Sequence, residues 1–187
     1  MNILRSESHN IKDFAFSALK NKLYVEGFQL RKSLEKIITS KESKLKDSFI
    51  LLMKNPLNNE FIGISTFLLT EHCTIQTFVK KEHRGKHYGT LLIKEVINNV
   101  PEHLKYRMKL SSGETQSLLL FRNLLNDNII DYDFFINNDV KNKLKCLDTY
   151  LFCKKYSLNT ELYIPGINQI FNERDLEFIN QLYKKPA

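Results

Sequence analysis

The residues most able to do chemistry lie in one run, Val79-Lys80-Lys81-Glu82-His83-Arg84-Gly85-Lys86-His87-Tyr88-Gly89-Thr90. A strand-like stretch, Cys73–Val79, leads into it, and a helical pattern opens at Tyr88. Free amides at a helix start, together with the positive end of its dipole, suit a phosphate. Gly85 and Gly89 let the backbone approach an anion closely, and turn-shaped runs of amides form an anion nest. Arg84, Lys86 and the neighbouring lysines add positive charge. The chemistry expected is binding of a pyrophosphate. The run is not a P-loop, because G-x-x-x-x-G-K-S/T is absent. Nor does it carry the G-x-G-x-x-G fingerprint of a dinucleotide fold.

Hydrophobic periodicity shows which elements must position that loop. A short strand is expected near Ile3–Ser6. Two amphipathic helices follow, at about Asn10–Leu23 and Gly27–Thr39, with Ile11, Phe14, Ala15, Ala18 and Leu19 striping the first. Ser48–Lys54, Phe61–Leu69 and Cys73–Val79 read as three strands. Their short connections imply antiparallel hairpins. A helix over Tyr88–Asn99 is expected to bury Leu92, Ile93, Val96 and Ile97, with Pro101 ending it. Beyond it come a strand at Tyr106–Ser111, a helix at Thr115–Leu125, and strands at Ile129–Ile136 and Leu147–Tyr156. A last helix begins after Asn172, a capping residue type, and stripes Leu176, Ile179 and Leu182.

With 187 residues, 42% hydrophobic and 26% charged, the chain is sized for one domain with an appendage and a sizeable core. That balance excludes a disordered chain, a collagen and a disulfide scaffold. No apolar run is long enough for a membrane span, and Met1–Asn10 does not read as a signal peptide. Cys73, Cys146 and Cys153 are an odd count without metal-ligand spacing. A reduced, cytoplasmic protein with no metal and no membrane partner is expected. The net charge of +7 is uneven: residues 1–46 and 80–109 are each basic, and residues 110–140 are acidic. Basic blocks point to a polyanion, either a phosphorylated cofactor or nucleic acid.

The element order and the loop together resemble the GNAT family, the GCN5-related N-acetyltransferases. That family's cofactor loop reads R/Q-x-x-G-x-G/A, often within V-x-P-E-x-R-G-K-G-I-G. Val79, Glu82, Arg84, Gly85, Lys86 and Gly89 match it. Lys81 replaces the usual Pro, His87 the first defining glycine, and Tyr88 an aliphatic residue. The resemblance implies an α/β (α+β) fold: a mixed, mostly antiparallel central sheet flanked by helices, with a C-terminal helical extension. On this reading residues 1–156 form the acyl-CoA-binding domain. Residues 157–187 add one helix, docked on that domain or on a second copy of the chain as a homodimer.

The resemblance also implies a function, transfer of an acetyl group from acetyl-CoA to a primary amine by direct attack. The family holds the donor between two splayed strands parted by a bulge, here Cys73–Val79 and Tyr106–Ser111. Backbone around Phe78 and Val79 would bind the donor's arm. The run Arg84, Gly85, Lys86, His87, Tyr88, Gly89 and Thr90 would take its pyrophosphate. Glu114 and Glu71 are the first candidates for the base, with Glu60 and His72 behind them. Phe121 stands where the family usually has a tyrosine acid, so Tyr132 or Tyr150 must donate if any residue does. Asp127, Asp131, Asp133 and Asp139 fall in the acidic block and would attract a cationic amine, either a small molecule or a protein side chain. The basic first two helices favour an RNA-linked amine such as aminoacyl-tRNA instead. A CoA-binding relative with little catalysis is the remaining alternative.

Overall fold

The computed structural model describes every residue except 25–27, 70–72, 106, 109–114, 132–135, 137 and 184–187. Among the described residues, the protein is a mixed α+β chain with four strands and nine α-helices. The strands are β1 (Asn2–Arg5), β2 (Phe49–Lys54), β3 (Phe61–Leu69) and β4 (Cys73–Val79), and they form one antiparallel sheet in that order. The chain divides into two units, 1–108 and 109–187.

In the first unit, β2 and β3 are nearly continuous apolar runs rather than alternating ones, because helices cover both faces of the sheet. On one face lie α1 (Ile11–Lys20) and α2 (Phe28–Thr39). Ile11, Ala15, Ala18, Leu30, Leu34 and Ile37 pack there with Ile50, Leu52, Ile64 and Leu68. The opposite strand positions, Phe49, Leu51, Met53 and Phe67, are also buried, and the Phe49 and Phe67 rings stack at 5.3 Å. α3 (Tyr88–Asn99) lies against β2, β3 and β4 and buries Leu92, Ile93, Val96 and Ile97, as its periodicity required. Each such side chain contributes roughly 1.5–3 kcal/mol on leaving water. The short α4 (Glu102–Lys105) follows, with Leu104 buried.

Strand expectations hold closely up to Val79; of the three beyond it, two fall largely outside the described residues and one is overturned. Of Tyr106–Ser111 only Arg107 and Met108 are described, and Met108 makes an isolated parallel bridge to Cys73. Within Ile129–Ile136, residues 132–135 lie outside the described residues. Leu147–Tyr156 is not a strand. It belongs to an 18-residue helix, Asn138–Lys155. The helix buries Val140, Leu144, Leu147, Tyr150 and Cys153, spaced by three and four residues along a single stripe.

The second unit, as described, is helical. It contains α5 (Thr115–Asn126), α6 (Asn138–Lys155), α7 (Thr160–Tyr163), α8 (Ile167–Ile170) and α9 (Glu173–Tyr183). The last 31 residues (157–187) fall in one unit with α5 and α6. They also carry three helices rather than one. Asn172 caps α9 as its residue type suggested: its Oδ1 accepts from the Asp175 amide at 3.0 Å, and Asp175 reaches back to the Asn172 amide. Arg122 on α5 pairs with Asp148 on α6 at 2.5 Å. Tyr150 on α6 donates its hydroxyl to Asn180 on α9 at 2.9 Å.

The final segment is thus part of its unit's core, with Ile164, Ile167, Phe171 and Ile179 all buried. Deleting residues 157–187 should remove those side chains and leave the Tyr150 hydroxyl without Asn180. Loss of soluble protein, or strong binding of a hydrophobic dye by what remains soluble, is the expected outcome. A soluble 1–156 chain with an unchanged melting temperature would contradict it.

Candidate anion-binding loop and strand edge

β4 places the loop. Its pairing with β3 is regular, from Gly63 opposite Val79 to Leu69 opposite Cys73. The Lys80 amide extends the ladder, donating to the Ile62 carbonyl at 2.9 Å. Backbone groups alternate in direction along an antiparallel pair. Phe78, Gln76 and Thr74 therefore bond to β3, whereas Val79, Thr77 and Ile75 turn their amides and carbonyls outward. Among the described residues, the outer edge meets another segment only where Cys73 bridges to Met108. From Thr74 to Val79 the strand is half-buried, with one row of backbone groups facing away from the sheet.

A 3₁₀ turn, Lys81–His83, carries the chain from β4 toward α3. Gly85 has φ 76°, and a Cβ built on it meets nothing within 4 Å, so glycine is needed there for its backbone conformation and not for space. His87 also has a left-handed backbone, φ 59° and ψ 13°, at the residue just before α3. An L-residue there bears a cost of about 1–2 kcal/mol that glycine avoids. This is the position where the sequence motif would have glycine. The backbone keeps the glycine shape although the residue has changed. Leu91 makes the first bond of the helix, donating to the His87 carbonyl at 3.1 Å. The amides of Tyr88, Gly89 and Thr90 precede that bond and have no intrahelical partner.

The side chains sort by role. Arg84 donates from Nε to the Val79 carbonyl at 2.9 Å, and its guanidinium lies 5.7 Å from the Phe78 ring centroid. It fastens the loop to the end of β4 and engages one outward carbonyl of the edge. Lys86 and His87 are exposed next to the start of α3, where Lys86 adds charge to the amides and His87 contributes its left-handed backbone. Thr90 is buried. Phe78 is packed against the α1/α2 core. On that same face of the sheet, the cross-strand pair Thr66 and Gln76 holds two buried oxygens, Oγ1 and Oε1, without hydrogen-bond partners. This arrangement can hold a di-anionic group at the helix start and an extended chain along β4.

Close packing of α3 on the sheet depends on Gly63, whose role the sequence reading missed. A Cβ built at Gly63 would lie 2.7 Å from the Phe78 carbonyl oxygen and 3.1 Å from Leu92 Cδ1. Gly63 sits beside a β-bulge at which Ile62 has no partner on β2. The signal available was a glycine inside a strand pattern, which marks a bulge or a close approach. This bulge interrupts the register of β2 with β3; the one expected between the two cleft strands involves Tyr106–Ser111, most of which lies outside the described residues.

Of the proton-transfer candidates, Glu71, His72, Glu114 and Tyr132 lie outside the described residues. Tyr150 does not fit the role given it, being buried in a helix with its hydroxyl committed to Asn180. Phe121 is core packing within its own unit. Glu60 pairs with Lys80 at 3.3 Å, and that ammonium, helped by His83, holds its carboxyl below the usual range. A carboxylate made less basic in this way is a poor base. Asp127, Asp131 and Asp139 are exposed. No family model, curated protein or solved structure matches the chain.

Proposed function

We propose that the chain is a GNAT-like N-acyltransferase that uses acetyl-CoA and a primary amine. The observation that carries this reading is the left-handed backbone of His87. It stands at the motif's glycine position, between β4, the outermost strand on that side among the described residues, and the first amides of α3, which have no intrahelical partner. Those residues fit a diphosphate: three helix amides point ahead of α3, Gly85 leaves open space, and Lys86 lies beside them in solvent. The outward groups of Thr77 and the outward amide of Val79 fit an amide-containing arm, which would pair with them as an added strand.

When bound, acetyl-CoA supplies a thioester carbonyl activated toward direct attack by an amine. The chain's task is to hold that carbonyl and the amine together, which removes most of the entropic cost of their meeting. The β4 amides orient the arm, and Arg84 keeps the loop registered against Val79. Glu114 or Glu71 takes the proton of the incoming ammonium, and Tyr132 or water returns one to the departing thiolate. A second reading, donor binding with little turnover, is favoured by Phe121, which cannot donate a proton. A polyanionic acceptor such as aminoacyl-tRNA is the variant that the basic first two helices support.

Calorimetric titration with acetyl-CoA, followed by thiol release over a panel of amines, tests the reading. Saturable binding with thiol release supports transfer. Binding without release supports the second reading, and no binding at millimolar acetyl-CoA removes both.

A further inference from the structure

Glu60, at the entrance to β3, faces the turn that leaves β4. The ligand-type atoms of Glu60, Glu82 and His83 all lie within 4.8 Å of one another. His83 Nε2 is buried and has no hydrogen-bond partner. It sits 3.6 Å from Glu60 Oε1, too far for a hydrogen bond, and its side chain is only 16% exposed. A buried ring nitrogen left unpaired beside two carboxylates is costly unless something fills the gap. The cation already present is Lys80, whose Nζ lies 3.3 Å from the same Glu60 oxygen. Two carboxylates, one ammonium and a ring nitrogen at ion-pair distance from Glu60 but without a hydrogen bond thus meet at this turn.

We propose that Glu60, Glu82 and His83 bind one divalent transition-metal ion of the zinc class, displacing the Lys80 ammonium from Glu60. One imidazole nitrogen and two carboxylate oxygens make a three-ligand set with room for water in the fourth position. The nitrogen donor selects zinc, cobalt or nickel over magnesium or calcium, which prefer all-oxygen sites. The ligands come from two places in the chain: Glu60 precedes β3, and Glu82 and His83 lie in the turn Lys81–His83. An ion here pins that turn to the sheet, four residues ahead of the left-handed His87. This assignment does not depend on acyl transfer.

Cobalt(II) is the probe, added to full-length protein freed of metal by chelator and dialysis. The expected result is one cobalt per chain with the visible bands of a low-symmetry site, displaced by zinc. Glu82→Gln, a change at an exposed residue, should weaken binding at least about tenfold, since losing even an outer hydrogen-bond partner of a ligand costs a metal site about that much. His83→Gln should abolish the bands. Lys80→Met should tighten binding, because it removes the competing cation. Several results would overturn the assignment: no saturable binding, affinity unmoved by Glu82→Gln, or weaker binding in Lys80→Met. A sulfur-to-cobalt charge-transfer band would also overturn it, by placing the ion on Cys73, Cys146 or Cys153 instead.

Discussion

Acetyl-CoA at one hundred times its dissociation constant should stabilise the chain by about 2.7 kcal/mol, which corresponds to a rise in melting temperature of roughly 5–10 °C. The same experiment on loop variants separates phosphate binding from a general effect. Lys86→Glu changes an exposed residue beside the α3 amides, so the free protein should melt as before. Its affinity for acetyl-CoA should fall about tenfold or more, and the loss should shrink in high salt, where exposed charges are screened. His87→Gly removes the cost of a left-handed histidine. It should stabilise the free protein by about 1 kcal/mol while leaving binding intact. If His87→Gly instead destroyed binding, the imidazole itself would be the anion's partner and the backbone argument would be wrong. A thermal shift unaltered by Lys86→Glu at low salt would place acetyl-CoA elsewhere on the chain.

Gly63→Ala should destabilise the protein by roughly 1–3 kcal/mol, the usual result of overpacking a filled interior. Ordinarily alanine gains a few tenths to 1 kcal/mol over glycine by stiffening the unfolded chain. Here the new Cβ falls 2.7 Å from the Phe78 carbonyl oxygen, a backbone atom that cannot rotate away. Steric cost wins because either β3 must separate from β4 or the bulge must reshape. Urea unfolding should show a lower midpoint with an unchanged slope. Adding Leu92→Ala should not rescue the variant, since Leu92 Cδ1 is the milder contact at 3.1 Å. Acetyl-CoA binding should weaken as well, because β4 carries the loop. A midpoint equal to that of the unaltered protein would show that the sheet yields at this point without strain.

The sequence by itself determined the first unit through Asn99. Its helices declare themselves by one apolar face, which sets the spacing of Ile11, Ala15 and Ala18, and its central strands by continuous runs such as Phe49–Met53 that are buried on both faces. The loop's composition also raised the expectation of a phosphate ligand, since glycines, basic residues and a helix start are local features. Lateral information was not legible. Leu147–Tyr156 read as a strand because Thr149, Tyr150, Phe152 and Tyr156 favour sheets, and the lysines at 141–145 hid the helical stripe that begins at Val140. Burial of that stripe against its own unit, with Tyr150 bonded to Asn180, overrode local preference. Tertiary structure alone decided that Arg84 spends a donor on Val79, that Glu60 faces His83 across the sheet's edge, and that Gly63 is where α3 comes close. Each of these joins residues far apart in the chain or fixes a direction that residue type leaves open. Such facts come into being only when strands take a register and a helix settles on them.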